Sequence, residues 1–385
     1  MKSITHYIHR LSQIMILAVM VTLSSCSDSD EPKQDAEQTR TVLVYMVSHN
    51  NLSSYALADI GEMQEAALEG HIGTSRLIVY RHPYGGDPSL YEILYDGSIK
   101  LLKTYDSARP SISSLRLEEV IADTKVAAPA DKYGIIFWGH GSGYVQDGIT
   151  PKSYGGESIS GTSYWMNVTD MAEALGQKQF DWIYFDCCFM AGVEVAYELR
   201  SAADYIIASA TELPADGMPY QLTLRHLMPL NSDLQAAVNS TFDYYNSFTG
   251  SKRTCTMSLI KTEALDHLAQ SMRNVLTRTD GLPSSSSPQP FQTPGDHRRY
   301  GWSYYDLLDY ASALLPGDTE IARAINEAVP LSLATPMLWN EIPITNHCGL
   351  STLIIENADD PDLDKFNYRQ LAWWRDVVSY RFSNP

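Results

Sequence analysis

"FDWIYFDCCFMAGVEVAYEL" (180–199) divides into an apolar, aromatic run ending in Asp186, a pair of cysteines, and a stretch with apolar residues at helical spacing. The run 181–186 is bulky and apolar at most positions, the signature of a strand covered on both faces. The stretch 191–201 reads as a helix. A buried strand feeding a helix is half of a parallel βαβ unit. The chain has only five cysteines in 385 residues, and two of them, Cys187 and Cys188, stand at this junction.

The same alternation recurs along the chain. "TVLVYMV" (41–47), "RLIVYRH" (76–82), "YEILYD" (91–96), "YGIIFWGH" (133–140) and "YIIASATE" (205–212) read as strands. "SSYALADIGEMQEAAL" (53–68), "SLRLEEVIADTKVAA" (114–128) and "VTDMAEALGQ" (168–177) read as helices, the first with serine at its start. This predicts an α/β fold, an α/β/α sandwich with a mostly parallel central sheet, over residues 40–385. The Pro/Ser-rich segment 281–297 is expected to be an exposed loop. Helices at 304–315 and 319–329, a strand at 349–355 and a terminal helix at 368–380 follow it. No internal repeat is visible.

The formal net charge of −18 disfavours a nucleic-acid partner, which a basic patch would be needed to hold. An acidic balance suits basic substrates, although solubility alone also accounts for it. Lys2 and Arg10 precede "IMILAVMVTL" (14–23), a charged n-region and an h-region too short to span a bilayer. The run ends in "LSSC" (23–26), which resembles a bacterial lipobox. Residues 1–25 are then a signal peptide, Cys26 the lipidated residue, and 26–39 an acidic flexible tether. The expected location is the outer membrane of a Gram-negative bacterium, with either face open. The competing reading is an ordinary secreted protein in which Cys26 is coincidental.

In open α/β sheets, sites gather at the carboxyl ends of the strands. His140 ends one apolar run and Cys187 and Cys188 end another, so adjacent strands would bring imidazole and thiol together. A thiol needs a base to attack an amide, and the start of the following helix would favour thiolate. Glycines flank the histidine in "WGHGSG" (138–143), and Gly141 can leave its N–H open to an oxyanion beside the nucleophile's own. No GxSxG, GxGxxG or P-loop is present, which removes serine-hydrolase and nucleotide readings. The cysteines lack zinc-type spacing, so no metal site is expected from them. Vicinal Cys187 and Cys188 cannot bridge each other without strain, whereas a Cys255–Cys348 disulfide stays open.

These blocks resemble the clostripain family of cysteine endopeptidases, relatives of gingipains, legumains and caspases. The family's D-A-C-L-M block aligns with Asp186-Cys187-Cys188-Phe189-Met190, placing Cys188 on the nucleophile and Cys187 on the preceding alanine. "TVLVYMVSHNNLSSYALADIGEM", "YYDLLDYASAL", "GLSTLII" and "WWRDVV" extend the likeness over most of the chain from Thr41. The resemblance implies a caspase-like fold and cleavage of proteins or peptides after Arg or Lys by a monomer. Carried over by position, Asp186 and Asp216 are the S1 acids; the bland alternatives are a strand-end acid and a turn residue. Some relatives are zymogens that cut themselves, and Lys152 is the matching basic residue, otherwise a solvated loop lysine. The chemistry needs no cofactor, although calcium is possible. One departure is His49, where the family commonly has Asp before "NNL". The rival function is a catalytically silent, surface-anchored binding lipoprotein with the same fold.

Overall fold

Runs of β-branched and aromatic residues build the centre of the computed structural model, which describes residues 39–144, 153–279, 281–291, 303–365 and 367–383. Thirteen strands are named here in chain order. They are β1 (Arg40–Ser48), β2 (Arg76–Pro83), β3 (Ser89–Ile93), β4 (Ile99–Thr104), β5 (Lys132–Trp138), β6 (His140–Gly141) and β7 (Tyr154–Ile159). Next come β8 (Thr162–Met166), β9 (Phe180–Asp186), β10 (Ala203–Ala208), β11 (Thr256–Lys261), β12 (Tyr304–Asp306) and β13 (Leu331–Ala334). Nine form one sheet in the order β13-β11-β10-β9-β5-β1-β2-β3-β4. Its centre, β10-β9-β5-β1-β2, is parallel throughout, and both wings are antiparallel.

Alternation along the central strands sends side chains into two cores. Leu43, Tyr45 and Val47 of β1 face one with Ile183 and Phe185 of β9; Val42, Val44 and Met46 face the other with Trp182 and Tyr184. Helices α1 (Ser53–Leu68), α2 (Ser114–Ala127), α3 (Val168–Leu175), α4 (Val193–Glu198), α5 (Tyr220–Leu227) and α6 (Leu234–Asn246) supply the outer layers. They are joined by α7 (Leu265–Leu276), α8 (Leu307–Leu314) and α9 (Thr319–Ala328). Apolar stripes of α1, α5 and α6 cover the second core; α2, α3, α4, α7, α8 and α9 cover the first. The result is the expected α/β/α sandwich.

Some local expectations change. The helix read at 304–315 opens with the short strand β12, because Tyr304–Asp306 pairs with Ser351–Leu353. The terminal helix is a 3₁₀ turn, Tyr368–Gln370, followed by a π turn, Trp374–Val378. The Pro/Ser-rich segment is only partly exposed over its described part: Phe291 is fully buried and Gln289 accepts from Thr345 N–H at 3.0 Å. Cys255 and Cys348 are unpaired. Among the described residues no helix is long and apolar enough to cross a membrane. Cys26 and Lys152 lie outside the described residues.

Candidate active site

Strand register sets the site. Trp138 of β5 lies opposite Asp186 of β9, so His140 and the two cysteines leave neighbouring parallel strands at the same edge. Gly139 N–H bonds Asp186 O at 3.4 Å and makes the turn at φ +148°. The two loops then touch through their backbones. A Cβ added to Gly141 would lie 2.5 Å from Cys188 O, 2.8 Å from Cys187 Cβ and 3.2 Å from Cys188 N. His140 pairs with Gly155 of β7, and Ser142 N–H donates to Ser153 O at 3.1 Å. Bonded pairs alternate in an antiparallel ladder, so the intervening Gly141 N–H is left out of it.

The adjacent cysteines have opposite surroundings. Cys187 continues the β9 alternation into the core, 3% exposed, and its S–H donates to Phe137 O at 3.2 Å. Cys188 is half-buried at the edge; its sulfur accepts from Leu213 N–H at 3.4 Å and donates to Leu213 O at 3.7 Å. Directly after it Phe189 adopts φ +61°, rare for a bulky residue. That kink is held by Phe189 N–H to Thr211 O and Ala191 N–H to Ser209 O, both 2.9 Å, and by stacking of Phe189 on Tyr304.

His140 Nε2–H donates to Asn51 Oδ1 at 2.7 Å, which leaves Nδ1 as the proton acceptor. Gly156, at φ +64°, closes against the ring: a Cβ there would sit 3.1 Å from His140 Cδ2. Burial lowers the His140 pKa and pushes the Cys188 thiol up to about 12. The resting pair is therefore a protonated thiol and a neutral imidazole, bonded to different partners. Helix support for thiolate does not materialise, because α4 starts only at Val193 and carries the buried Glu194 in its first turn.

Four acids gather beside the thiol loop. Asp186 is buried and accepts from Met218 N–H at 2.9 Å and Tyr220 O–H at 3.1 Å, so it also fixes the loop backbone. Gly217, at φ +66°, leaves room for that carboxylate, which a Cβ would approach to 2.9 Å. Asp216 is exposed in the same turn and faces Lys252 at 3.5 Å. Asp59 and Glu62 of α1, absent from the sequence reading, complete the group. Asp59 is buried and accepts from Trp138 Nε1–H at 2.5 Å; Glu62 accepts from Tyr220 N–H at 2.9 Å. Burial raises all three enclosed carboxyls, with Asp186 raising Asp59 and Glu62 further; Glu62 reaches about 7. The available signal was an acid, Asp59, on the apolar stripe Ala56–Ile60–Met63–Ala67. Asn51 carried no such signal, because its role depends on where the chain returns after β5.

Comparison with known proteins follows the same geometry. A family model described as the clostripain family matches residues 44–327. An inactive zymogen C11 protease from Parabacteroides distasonis superposes with a TM-score of 0.75 at 28% identity, over 89% of this chain and 99% of that one. A secreted C11 cysteine protease from Bacteroides thetaiotaomicron in complex with an irreversible peptide inhibitor gives 0.70 at 26% identity, over 87% and 98%. Another secreted C11 cysteine protease from that organism, iotapain, has a like fold, TM-score 0.76 at 23% identity over 89% and 99%. No curated protein matches the chain.

Proposed function

The chain belongs to the clostripain family of cysteine proteases, and we propose that it is an endopeptidase cleaving after Arg or Lys with Cys188 as nucleophile and His140 as acid–base. The observation that carries this reading is the contact of Gly141 with the Cys188 backbone. It supports two N–H groups, of Gly141 and Cys188, facing one oxyanion.

In the proposed cycle a substrate carbonyl displaces the Leu213 contacts of the thiol. The proton passes to His140 Nδ1 while the S–C bond forms, and the oxyanion takes the two N–H bonds. His140 then protonates the leaving amine, and the same nitrogen deprotonates the water that hydrolyses the thioester. Asn51 holds the ring in the required tautomer. Cys187 takes no part; its thiol is committed to Phe137 O in the core. Asp186 and Asp216 select a cationic P1 side chain.

A thiol bonded to Leu213 and an imidazole bonded to Asn51 also suit a resting zymogen, and an inactive zymogen is among the similar structures. Activation by autocleavage after Lys152 is part of the proposal. Ser142 and Ser153 stay hydrogen-bonded on either side of the segment that holds Lys152, so a cut there need not release either end. Lipid attachment through Cys26 at the outer membrane, and action as a monomer, complete it. Calcium has no step here: where relatives carry Asp, His49 stands with His82 and Glu157, two nitrogens and a carboxylate that do not suit an oxygen-seeking cation.

The test is hydrolysis of fluorogenic peptides ending in Arg, Lys, Asp or Leu by the chain from residue 27 onward, beside Cys188→Ala and Cys187→Ala. Turnover of the Arg or Lys peptides that only Cys188→Ala abolishes is expected. Turnover surviving Cys188→Ala, or confined to Asp or Leu, rejects the assignment.

A further inference from the structure

Three donors outside the thiol loop converge at the carboxyl ends of β1 and β2. His49 follows β1, His82 lies in β2, and Glu157 arrives from β7; each offers a ligand atom within 4.8 Å of the others. Glu157 is fully buried, its Oε2 accepting from Ser111 N–H at 2.7 Å and Ile112 N–H at 3.3 Å. Its Oε1 faces His82 Nδ1 as an ion pair, whereas the buried Nδ1 of His49 has no hydrogen-bond partner. A buried ring nitrogen without a partner is costly to keep.

We propose that His49, His82 and Glu157 form a three-ligand site for a divalent transition-metal ion of the zinc class. Two imidazoles and one carboxylate are a common zinc donor set with a fourth position for water. His82 and Glu157 are buried, whereas His49 is partly exposed beside Tyr84, which gives the ion a way in. A second shell is present on the carboxylate: Ser111 N–H and Ile112 N–H hold Glu157 Oε2 and leave Oε1 for the ion, while the 3.0 Å contact of the Ser111 hydroxyl with His82 Nδ1 gives way when that nitrogen turns to the ion. Binding requires the His82 and Glu157 atoms that now face each other to turn toward the ion.

The site is linked to the His140 loop. Asn50, next to His49, donates to Gly155 O at 3.1 Å and Gly156 O at 3.3 Å; Asn51 holds the His140 ring. Ser158 N–H donates to His49 O at 2.8 Å, tying β7 to the same loop. An ion here braces the loop that orients the histidine without touching the thiol. Three ligands from separate chain segments, after β1, in β2 and in β7, leave no spacing motif for a sequence reading to find.

The test uses the untagged chain from residue 27 onward carrying Cys188→Ala, which removes the half-buried site thiol as a competing ligand, stripped with chelator and titrated with Co²⁺ and then Zn²⁺. One equivalent of Co²⁺ should bind with visible d–d bands and no thiolate charge-transfer band, and Zn²⁺ should displace it and raise Tm. His49→Ala, at a partly exposed position, and Glu157→Gln, which keeps an acceptor for Ser111 and Ile112 N–H, should each weaken binding by about tenfold or more. No binding by the parent, a thiolate band, or binding untouched by both substitutions overturns the proposal. The readout needs no catalysis, so it is independent of peptidase activity.

Discussion

A methyl group on Gly141 is expected to disable the enzyme while leaving it folded. The added Cβ would sit 2.5 Å from Cys188 O and 2.8 Å from Cys187 Cβ. Ordinary heavy-atom contacts lie near 3.5 Å, so the two loops must part by roughly 1 Å. Such overpacking costs about 1–3 kcal/mol of stability, a modest fall in Tm. Its effect on catalysis is larger, because a 1 Å misplacement costs about 100-fold and a lost oxyanion donor about 100–1,000-fold. Gly141→Ala should therefore lower kcat by two to three orders of magnitude, about 3–4 kcal/mol, with KM little changed. The assay is steady-state hydrolysis of an Arg-ending peptide, well below the variant's melting temperature. A folded Gly141→Ala protein with kcat within about threefold of the parent would refute the oxyanion geometry.

Asn51→Ala should reduce kcat by about 10-fold with KM unmoved, since it frees the His140 ring, and should shift the acid limb of the kcat–pH profile; an unchanged profile counts against the positioning role. Asp186→Asn keeps an acceptor for Met218 N–H but removes the charge and the acceptor of Tyr220 O–H, so kcat/KM for Arg and Lys peptides should fall about 100-fold with a small fall in Tm; equal loss on a Leu peptide argues for a structural role instead. Iodoacetamide should label Cys188 slowly at neutral pH, with a rate climbing as pH rises toward about 12, and should spare Cys187 in the folded protein; mass spectrometry of the alkylated site decides. Glu62 titrates about 7 in the fold against its ordinary 4.5, so the folded state binds its proton more tightly. Its stability contribution is present below about pH 4.5 and lost as pH rises through 7. Allowing for solvent screening of this part-exposed group, Glu62→Gln should stabilise by about 1 kcal/mol at pH 8 and by nothing at pH 4, read from thermal melts.

The parallel centre was legible because each of its strands is a continuous apolar run. "TVLVYMV" and "DWIYFD" lie within β1 and β9, and α1 falls on the residues its stripe indicates. The strand adjacency that joins His140 to Cys188 followed from the same runs and the rule for crossovers. Elements held by tertiary contacts were less visible. The β7–β8 hairpin pairs a strand interrupted by two glycines and the buried Glu157 with one that opens on exposed Thr162 and Ser163, and β12 pairs with Ser351–Leu353 far along the chain. At the site, chain order could rank the two thiols by family position, but only strand alternation put Cys187 in the core. Asp59, Glu62 and Asn51 come from far upstream in the chain, so their arrival beside Asp186 and His140 is a property of the fold. Thiolate stabilisation by the following helix failed as an expectation because the four residues 189–192, kinked at Phe189, separate Cys188 from α4.

The most direct test of the central claim is the initial rate on Arg- and Lys-ending fluorogenic peptides for the chain from residue 27 onward, before and after limited trypsin treatment, with Cys188→Ala in parallel. The account predicts hydrolysis that trypsin enhances and that Cys188→Ala removes. Silence on both peptides after trypsin, with Cys188 still alkylatable and the chain folded, would contradict it and leave a binding protein with a peptidase fold.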